Sequence, residues 1–227
     1  MLQTILEELE FLPGMDLEQM EKVKLMNRRE AKYIMTESLL AVFLERLRGE
    51  YLVQTVNGLK YQKYRTVYLD DRNHTMYLAH HNGRLTRQKV RVRTYLDTDQ
   101  LTFFEIKLKN NHGRTNKKRM KIHAPESMAA DGAGEFLDRN AMLPIPLDEM
   151  IPTVENRFER ITLVNSDMVE RMTIDVGLTF RNMETGITRE MKNLVVVEVK
   201  YDGRTGSAAR EILRDMRIHP SGFSKYC

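Results

Sequence analysis

The most constraining feature of this sequence is a short segment in which charged and apolar residues alternate. Lys89, Arg91 and Arg93 alternate with Val90 and Val92, which is the period-two pattern of a β-strand with two chemically different faces. On such a strand the three cations lie on one face, roughly 7 Å apart. The segment therefore predicts a strand that buries one face and presents a line of positive charge on the other.

Three later segments repeat this alternation. Residues 103–109, 171–176 and 195–201 place charged residues at one parity and Val, Ile, Leu, Met or Phe at the other. If these strands pair, one sheet face is apolar and the other is dense in Lys and Arg. Like charges on neighbouring strands repel, and a bound polyanion such as a phosphate chain relieves that repulsion. The alternative is a solvated face with interspersed signs, but the excess of cations over four strands favours a polyanion site.

The most basic run of the chain spans residues 114–122. Two interpretations stay open: a solvated loop, or a strand that continues the same basic face and contacts phosphate. In the second interpretation Arg119 is among the phosphate-binding residues.

Composition sets the class of protein. The chain has 227 residues, 41% of them hydrophobic and 30% charged, which is ordinary for a soluble globular protein. The net charge is only +4, so local clustering of cations carries the signal. The single cysteine, Cys227, excludes an internal disulfide and a cysteine metal cage and fits a reducing compartment. Without a signal-like start or an apolar run of about 20 residues, we expect a cytoplasmic protein with no membrane segment.

Helices are predicted on either side of these strands. Apolar stripes at 36–48 and 207–218 indicate helices that can cover the apolar sheet face, and a helix near 135–142 lies in an excursion at about 124–152. Residues 1–24 are predicted to form a separate N-terminal helical segment, packed on the rest of the chain or on a partner, and 25–227 a single domain. From the residues alone, roughly eight antiparallel strands form either a flat sheet or a closed barrel.

The ordered set of charged motifs resembles a known family, the VTC domain, from about residue 25 to the C-terminus. The motifs are Arg28-x-Glu30-x-Lys32-Tyr33, Tyr68-x-Asp70, Lys89-x-Arg91-x-Arg93, Glu105-x-Lys107, Phe158-x-Arg160, Arg171-x-Thr173-x-Asp175, Glu198-x-Lys200 and Phe223-Ser224-Lys225-Tyr226. Any single pair is weak evidence, but eight in this order are specific. The VTC domain is the catalytic domain of polyphosphate polymerases, in the triphosphate tunnel metalloenzyme (CYTH-like) superfamily.

The resemblance implies an α+β fold: an eight-stranded antiparallel β-barrel tunnel with a charged interior and helices packed outside. It also implies roles for individual residues. The family's phosphate-binding positions match Lys32, Arg91, Arg93, Lys107, Arg160, Arg171, Lys200 and Lys225. Glu198 matches the glutamate that holds Mn²⁺ or Mg²⁺, and Lys200, Arg91 and Arg93 are the expected catalytic residues. Phosphoryl transfer needs positioning and charge neutralisation more than a covalent nucleophile, which these residue types supply.

One departure separates branches of the superfamily. Its hydrolytic and cyclase members begin with Glu-x-Glu-x-Lys, whereas this chain has Arg28 in place of the first glutamate. The exchange removes a carboxylate that could bind metal and adds a cation that can bind phosphate, which favours the VTC branch. The yeast-type polymerases also carry a lipid-sensing domain and a membrane channel that are not in this sequence. Transfer across a membrane is therefore expected to need a separate membrane protein.

Three functions compete. The first is a transferase that moves the γ-phosphate of ATP onto a polyphosphate chain, the second a metal-dependent triphosphatase, and the third a non-catalytic polyphosphate-binding module. Glu198 separates the two enzymes from the module, unless it merely neutralises Lys200. Nucleic-acid binding is disfavoured, because few aromatic residues share the charged parity, and the histidines show no metal spacing. Replacing Arg91 or Arg93 by Ala is expected to weaken triphosphate binding without harming folding.

Overall fold

The structure is a computed structural model that describes residues 3–21, 28–112, 114–203 and 206–227. Within these residues the α-helices are α1 Gln3–Glu10, α2 Leu17–Glu21, α3 Glu37–Arg46, α4 Thr75–His81, α5 Ala133–Asn140 and α6 Ala208–Asp215. The strands are β1 Gly14–Met15, β2 Arg28–Met35, β3 Tyr51–Gln54, β4 Gln62–Asp70, β5 Arg87–Tyr95, β6 Leu101–Lys109, β7 Thr115–Ile122, β8 Ile151–Asn165, β9 Glu170–Asn182, β10 Thr188–Glu190 and β11 Val195–Asp202. No described helix has the length and apolar character needed to cross a membrane.

The strands build one largely antiparallel sheet. Its main path runs β2-β11-β9-β8-β4-β5-β6-β7, with the short strands β1, β3 and β10 attached at the side. The pairs β2–β11, β9–β11, β4–β5, β5–β6 and β6–β7 are all antiparallel. The α+β class and the antiparallel sheet predicted from the sequence are therefore confirmed.

The predicted closure of this sheet into a barrel is wrong. Among the described residues the path ends at β2 and at β7, and these two strands do not pair with each other. The outer edge of β2 is already occupied, because Tyr33 bridges to Pro220 and the Ser221 amide donates to the Lys32 carbonyl at 2.8 Å. Proline has no amide hydrogen to extend a ladder. The outer edge of β7 is left without a strand partner within the described residues.

Two of the predicted helices begin at side-chain caps. The Thr36 hydroxyl accepts a hydrogen bond from the Leu39 amide at 3.3 Å and starts α3, and the Ser207 hydroxyl accepts from the Arg210 amide at 3.2 Å and starts α6. Each cap satisfies an amide that the first helical turn leaves unpaired. The helices predicted at 36–48 and 207–218 are thus confirmed with slightly shorter bounds.

The chain divides into two compact units. Unit 1 comprises Met1–Lys63, Phe158–Leu178 and Glu190–Phe223. Its core packs α1, α3 and α6 against the apolar parity of β2, β9 and β11, for example through Phe43 and Val197. The prediction of a separate segment at 1–24 followed by a single domain stays a prediction.

Unit 2 comprises Tyr64–Arg157, Thr179–Arg189 and Ser224–Cys227. Its core packs α4 and α5 against the apolar parity of β5 and β6, with Val90, Val92, Phe104 and Ile106 buried. The alternation that opens the sequence argument therefore sorts side chains as expected. Valines face the helices, and the cations of the same strand lie on the opposite face.

Candidate phosphate-binding site

The cations of unit 2 are aligned across strands β5, β6 and β7. Residues directly opposite one another on paired antiparallel strands project from the same face. By the observed register, Lys89 lies beside Lys107 and Lys107 beside Lys117, and the next row contains Arg91, Glu105 and Arg119. We call this surface the cationic face. Its two rows present five cations and a single carboxylate.

That carboxylate, Glu105, is fully buried and acts as an internal counterion. Its oxygens accept from Arg91 at 2.7 and 2.8 Å and from the Lys117 ammonium at 3.2 Å. Burial alone would raise the pKa of Glu105, but Arg91, Arg93 and Lys117 lower it from 4.5 to about 2. Glu105 is therefore ionised at neutral pH and holds Arg91 and Lys117 in place.

Arg93 and Lys89, on the same face of β5 as Arg91, each donate a hydrogen bond to a side-chain hydroxyl. Arg93 is buried, and its Nε donates to the Thr66 hydroxyl at 3.2 Å. Lys89 donates to the Ser224 hydroxyl at 3.0 Å, and burial is the main cause that lowers its pKa to about 8. A nearby anion would favour the charged form of Lys89 and raise its pKa again.

One end of the cationic face is aromatic. The rings of Tyr64 and Tyr95 are 4.9 Å apart between centroids, and Phe103 meets Tyr95 edge-on at 5.9 Å. The Arg119 guanidinium lies 4.5 Å from the Phe103 ring centre, and that of Arg93 lies 5.4 Å from Tyr64, both within cation–π range. The expectation that few aromatic residues share the charged parity is therefore wrong for this end of the face.

Unit 1 contains a second charged cluster, which we call the quartet, formed by Glu30 and Lys32 of β2 and Glu198 and Lys200 of β11. The register sets Glu198 opposite Lys32 and Lys200 opposite Glu30, so opposite charges alternate in both directions. The Lys32 ammonium is 2.6 Å from Glu30 and 3.2 Å from Glu198, and the Lys200 ammonium is 2.5 Å from Glu198. Burial would raise the pKa of Glu198, yet the two ammonium groups hold it well below its ordinary value.

Arg171 lies on β9, the strand beside β11, and Arg160 lies on β8, one strand further along the sheet. The Arg160 guanidinium donates to both oxygens of the buried Asp175 at 2.6 and 2.8 Å, a bidentate geometry. Arg171 stands opposite Lys200 in the β9–β11 register. Unit 1 therefore also places an acidic partner beside cations that the sequence assigned to phosphate.

The donor set of the quartet fits a divalent ion of the predicted kind. Mg²⁺ and Mn²⁺ prefer carboxylate oxygen, and Mg²⁺ is usually held by one or two carboxylates together with substrate phosphates and waters. Glu198 supplies one ionised carboxylate, and Glu30 a second that shares Lys32 with it. No group of three or more His, Cys, Asp or Glu residues suited to a metal occurs in the described parts of the chain. A cation held here would thus take its remaining ligands from waters or from a phosphate ligand.

The structure divides the predicted site residues between the two units. Unit 1 holds Lys32, Arg160, Arg171, Glu198 and Lys200, and unit 2 holds Arg91, Arg93, Lys107, Arg119 and Lys225. Each is described in the structure. The side chain of Arg28, on which the comparison with hydrolytic enzymes rests, lies outside the described residues.

Sequence reasoning assigned no role to the carboxylates that pair with these cations. Each of these carboxylates belongs to a motif that contains a predicted phosphate ligand: Glu30 precedes Lys32 by two residues, Glu105 precedes Lys107 by two, and Asp175 follows Arg171 by four. The signal was therefore present as shared parity. What the sequence does not reveal is which cation each carboxylate meets across the strands.

Comparisons with known proteins identify a matching family model and several similar solved structures. The family model of the VTC domain matches residues 27–227, and no curated protein matches the chain. A putative adenylyl cyclase from Hippeastrum with a dominant triphosphatase activity is similar in structure, with a TM-score of 0.53 and 14% identity over 88% of this chain and 93% of that chain. The PH1819 protein from Pyrococcus horikoshii OT3 gives a TM-score of 0.47 at 10% identity over 87% and 96% of the two chains. The inorganic triphosphatase NE1496 gives 0.32 at 13% identity over 81% and 78%.

Proposed function

The chain belongs to the VTC domain family, and from this premise we propose that it is a polyphosphate polymerase-like transferase that moves the γ-phosphate of ATP onto a polyphosphate chain. The observation that carries the proposal is the cationic face of unit 2. Its rows hold five cations around the single buried carboxylate Glu105. The excess of positive charge on this face would be neutralised by a bound polyanion.

The residues of this face would act by positioning and by neutralising charge. In the transfer, a terminal oxygen of the acceptor chain forms a bond to the γ-phosphorus while the bond from that phosphorus to the β–γ bridging oxygen breaks, and ADP leaves. Arg91 and Arg93 would grip non-bridging oxygens through their guanidinium groups, and Lys107 and Arg119 would hold neighbouring phosphates. Because Glu105 and Thr66 hold Arg91 and Arg93 before substrate arrives, these two residues would stabilise the charge that develops at the bridging oxygen.

Within unit 1, the quartet would bind phosphate together with a divalent ion. Lys32 and Lys200 would transfer their contacts from Glu198 to phosphate oxygens, and Arg160 and Arg171 would add two further cations. Glu198 would then be free to hold Mn²⁺ or Mg²⁺, which when bound supplies Lewis-acid polarisation of the phosphoryl group.

The aromatic end of the cationic face supports ATP as the donor. A nucleoside triphosphate has phosphates at one end and a planar base at the other. Phe103 lies directly opposite Arg93, Tyr95 follows Arg93 on the same face of β5, and the Arg119 guanidinium packs over Phe103. Bases stack on aromatic rings and on guanidinium planes. Inorganic triphosphate and polyphosphate would leave this end unused.

A metal-dependent triphosphatase is the second candidate. It is favoured by the similarity to the Hippeastrum protein, whose dominant activity is that of a triphosphatase. In that case water replaces the acceptor chain and the same residues bind the substrate. A non-catalytic polyphosphate-binding module would use the cationic face without turnover.

The deciding experiment incubates the protein with ATP, Mn²⁺ and a short polyphosphate primer. Chain lengthening is followed on gels and free phosphate is measured in parallel. Lengthening supports the polymerase, phosphate release alone supports the triphosphatase, and neither product with any common divalent ion leaves the binding module. Glu198→Gln should abolish turnover while triphosphate binding stays nearly intact. Lys118→Ala removes a cation from the opposite parity of β7 and is the matched control.

A further inference from the structure

Tyr226 holds the C-terminal segment Ser224–Cys227 against the rest of unit 2. The Tyr226 ring is buried and stacks on Tyr68, with 4.7 Å between centroids and 16° between planes. Tyr77 meets the same ring edge-on at 5.9 Å. The Tyr226 hydroxyl donates a short hydrogen bond to the Asp70 carboxylate. The buried side chain of Tyr226 thus anchors the segment Ser224–Cys227.

Asp70 is itself rigidly held. It is fully buried at the end of β4, and its two oxygens accept from the amides of Met76 at 3.0 Å and Tyr77 at 2.8 Å. These are the first-turn amides of α4, which helices leave unpaired unless a cap satisfies them. The acceptor for Tyr226 is therefore fixed by backbone groups. Burial and the Asp70 charge raise the pKa of Tyr226, so its hydroxyl remains a donor.

The residues beside Tyr226 contact the cationic face. The Ser224 hydroxyl accepts from Lys89 at 3.0 Å, and the Lys225 carbonyl accepts from the Asn156 amide group at 3.4 Å. Tyr68, on which Tyr226 stacks, lies 3.5 Å from Arg91 through its hydroxyl. Tyr226 and its neighbour Ser224 are therefore linked to two cations of this face, Arg91 through Tyr68 and Lys89 directly. Lys225 lies between Ser224 and Tyr226 in the chain.

We propose that Tyr226 is a positioning residue, whose bond to Asp70 and stack on Tyr68 form a latch that fixes Ser224 and Lys225 for contact with an anionic substrate. The role of Lys225 rests on the proposed function, whereas the latch itself rests on the contacts around Tyr226. Ordering these residues in advance removes the entropy loss that a free segment would suffer on binding. If Tyr226 only filled the core, its ring would be sufficient and its hydroxyl would be dispensable.

The first test reads the latch without any substrate. Cys227 is exposed and is the sole cysteine, so a nitroxide label attached there reports the mobility of the segment. Tyr226→Phe keeps the ring and removes the hydroxyl, and it should raise label mobility several-fold. Asp70→Asn serves as the second variant. Tyr77→Phe removes a neighbouring hydroxyl that makes no contact with Asp70 and should leave the spectrum unchanged. Equal mobility in the wild type and Tyr226→Phe would overturn the latch.

The second test asks whether Tyr226 acts through Lys225. Calorimetric titration with inorganic triphosphate is run on the wild type, Tyr226→Phe, Lys225→Met and the double variant. Each single change should weaken binding about tenfold, the scale of one hydrogen bond, and the double variant should bind no more weakly than Lys225→Met alone. Strictly additive losses would show that Tyr226 does not act through Lys225. If the wild type binds no triphosphate, the proposed function fails, while the label experiment still decides the latch.

Discussion

Glu105 and Arg91 form a buried ion pair within the cationic face, and this changes what a substitution there should do. Removing Arg91 leaves the fully buried Glu105 carboxylate without its bidentate partner, although the Lys117 ammonium still lies 3.2 Å away. Breaking a buried pair on one side costs about 3–5 kcal/mol. We therefore expect Arg91→Ala to lower the free energy of unfolding by about that amount, measured by urea denaturation. The sequence-based expectation that folding would be unaffected overlooked this partner.

Two further variants test the explanation. Adding Glu105→Gln to Arg91→Ala should recover part of the lost stability, because the unpaired charge is removed. Arg93→Ala should cost less than Arg91→Ala, since Arg91 interacts with the Glu105 carboxylate more strongly than Arg93 does. A double variant less stable than Arg91→Ala would contradict the role of Glu105 as the internal counterion.

The lowered pKa of Glu105 predicts an acid dependence of stability. Its pKa falls from 4.5 to about 2 in the folded protein, so its stabilising contribution is complete above pH 4.5 and is lost as the pH falls towards 2. The expected contribution is roughly 3 kcal/mol. Urea denaturation between pH 7 and pH 2 should show the wild type losing this advantage over Glu105→Gln. A stability difference that does not change with pH would show that Glu105 is not the titrating group.

The quartet makes a prediction about metal affinity in the absence of phosphate. Lys200 lies 2.5 Å from Glu198 and competes with any cation for that carboxylate. Lys200→Met should therefore tighten Mn²⁺ binding by about tenfold, the effect of removing one close charge, as followed by the free Mn²⁺ signal in electron paramagnetic resonance. Lys118→Met removes the same charge from β7 and should leave Mn²⁺ affinity unchanged. Unaltered affinity in Lys200→Met would mean that Glu198 does not bind the ion.

At the scale of single residues, the sequence identified the cations but not their partners. The parity of Lys89, Arg91 and Arg93 determines which face they occupy, because side chains alternate strictly along a strand. The contact of Glu105 with Lys117 crosses between the paired strands β6 and β7, and that of Tyr226 with Asp70 joins residues 156 positions apart. Such contacts depend on register and on the course of the C-terminal segment, which local patterns do not encode.

At the scale of elements, helix α1 contributes to the core of unit 1. Ile5 and Leu9 are buried, and α1 packs on α3. Leu9→Ala should lower the free energy of unfolding by about 2–5 kcal/mol, as for other buried leucines. Leu17→Ala, at an exposed position of α2, should change it by less than about 0.5 kcal/mol. Equal effects of the two substitutions in thermal or urea unfolding would show that α1 is dispensable.

The elements that the sequence predicted well are those with strong local signals. An Asn-Gly pair favours a tight turn, and Asn57 and Gly58 form one with φ angles of 52° and 76°. Helices α3 and α6 were predicted for the same reason, from the apolar stripes at 36–48 and 207–218. The insertion of β11 between β2 and β9 was not, because strand order depends on contacts between distant segments.

At the scale of the whole molecule, positive charge should make substrate binding sensitive to salt. The net charge is only +4, but the cations are concentrated on particular faces. Triphosphate affinity measured by calorimetry should fall steadily as salt rises, because bound counterions are released and exposed charges are screened. Arg93→Ala should reduce the slope of log affinity against log salt by about one. A salt-independent affinity would contradict electrostatic binding by these faces.

The sequence predicted the α+β fold class correctly, but its prediction that the sheet closes into a barrel was wrong. Period-two alternation and flanking helices were enough to give an antiparallel α+β sheet. Closure depends on whether the two end strands pair, and the outer edge of β2 is taken by Pro220 and Ser221. That segment carries no alternation, so nothing in its sequence pattern indicated that it would occupy a strand edge.

The open edge of β7 has a consequence for how separate molecules of this protein meet. A strand edge without a partner invites a second chain to add a strand, which is a common origin of aggregation. In β7, Lys117, Lys118, Arg119 and Lys121 are all exposed, and two such edges brought together would place like charges side by side. The strand proposed to bind phosphate thus also keeps copies of the protein apart, and concentrated salt or a bound polyanion would weaken that protection.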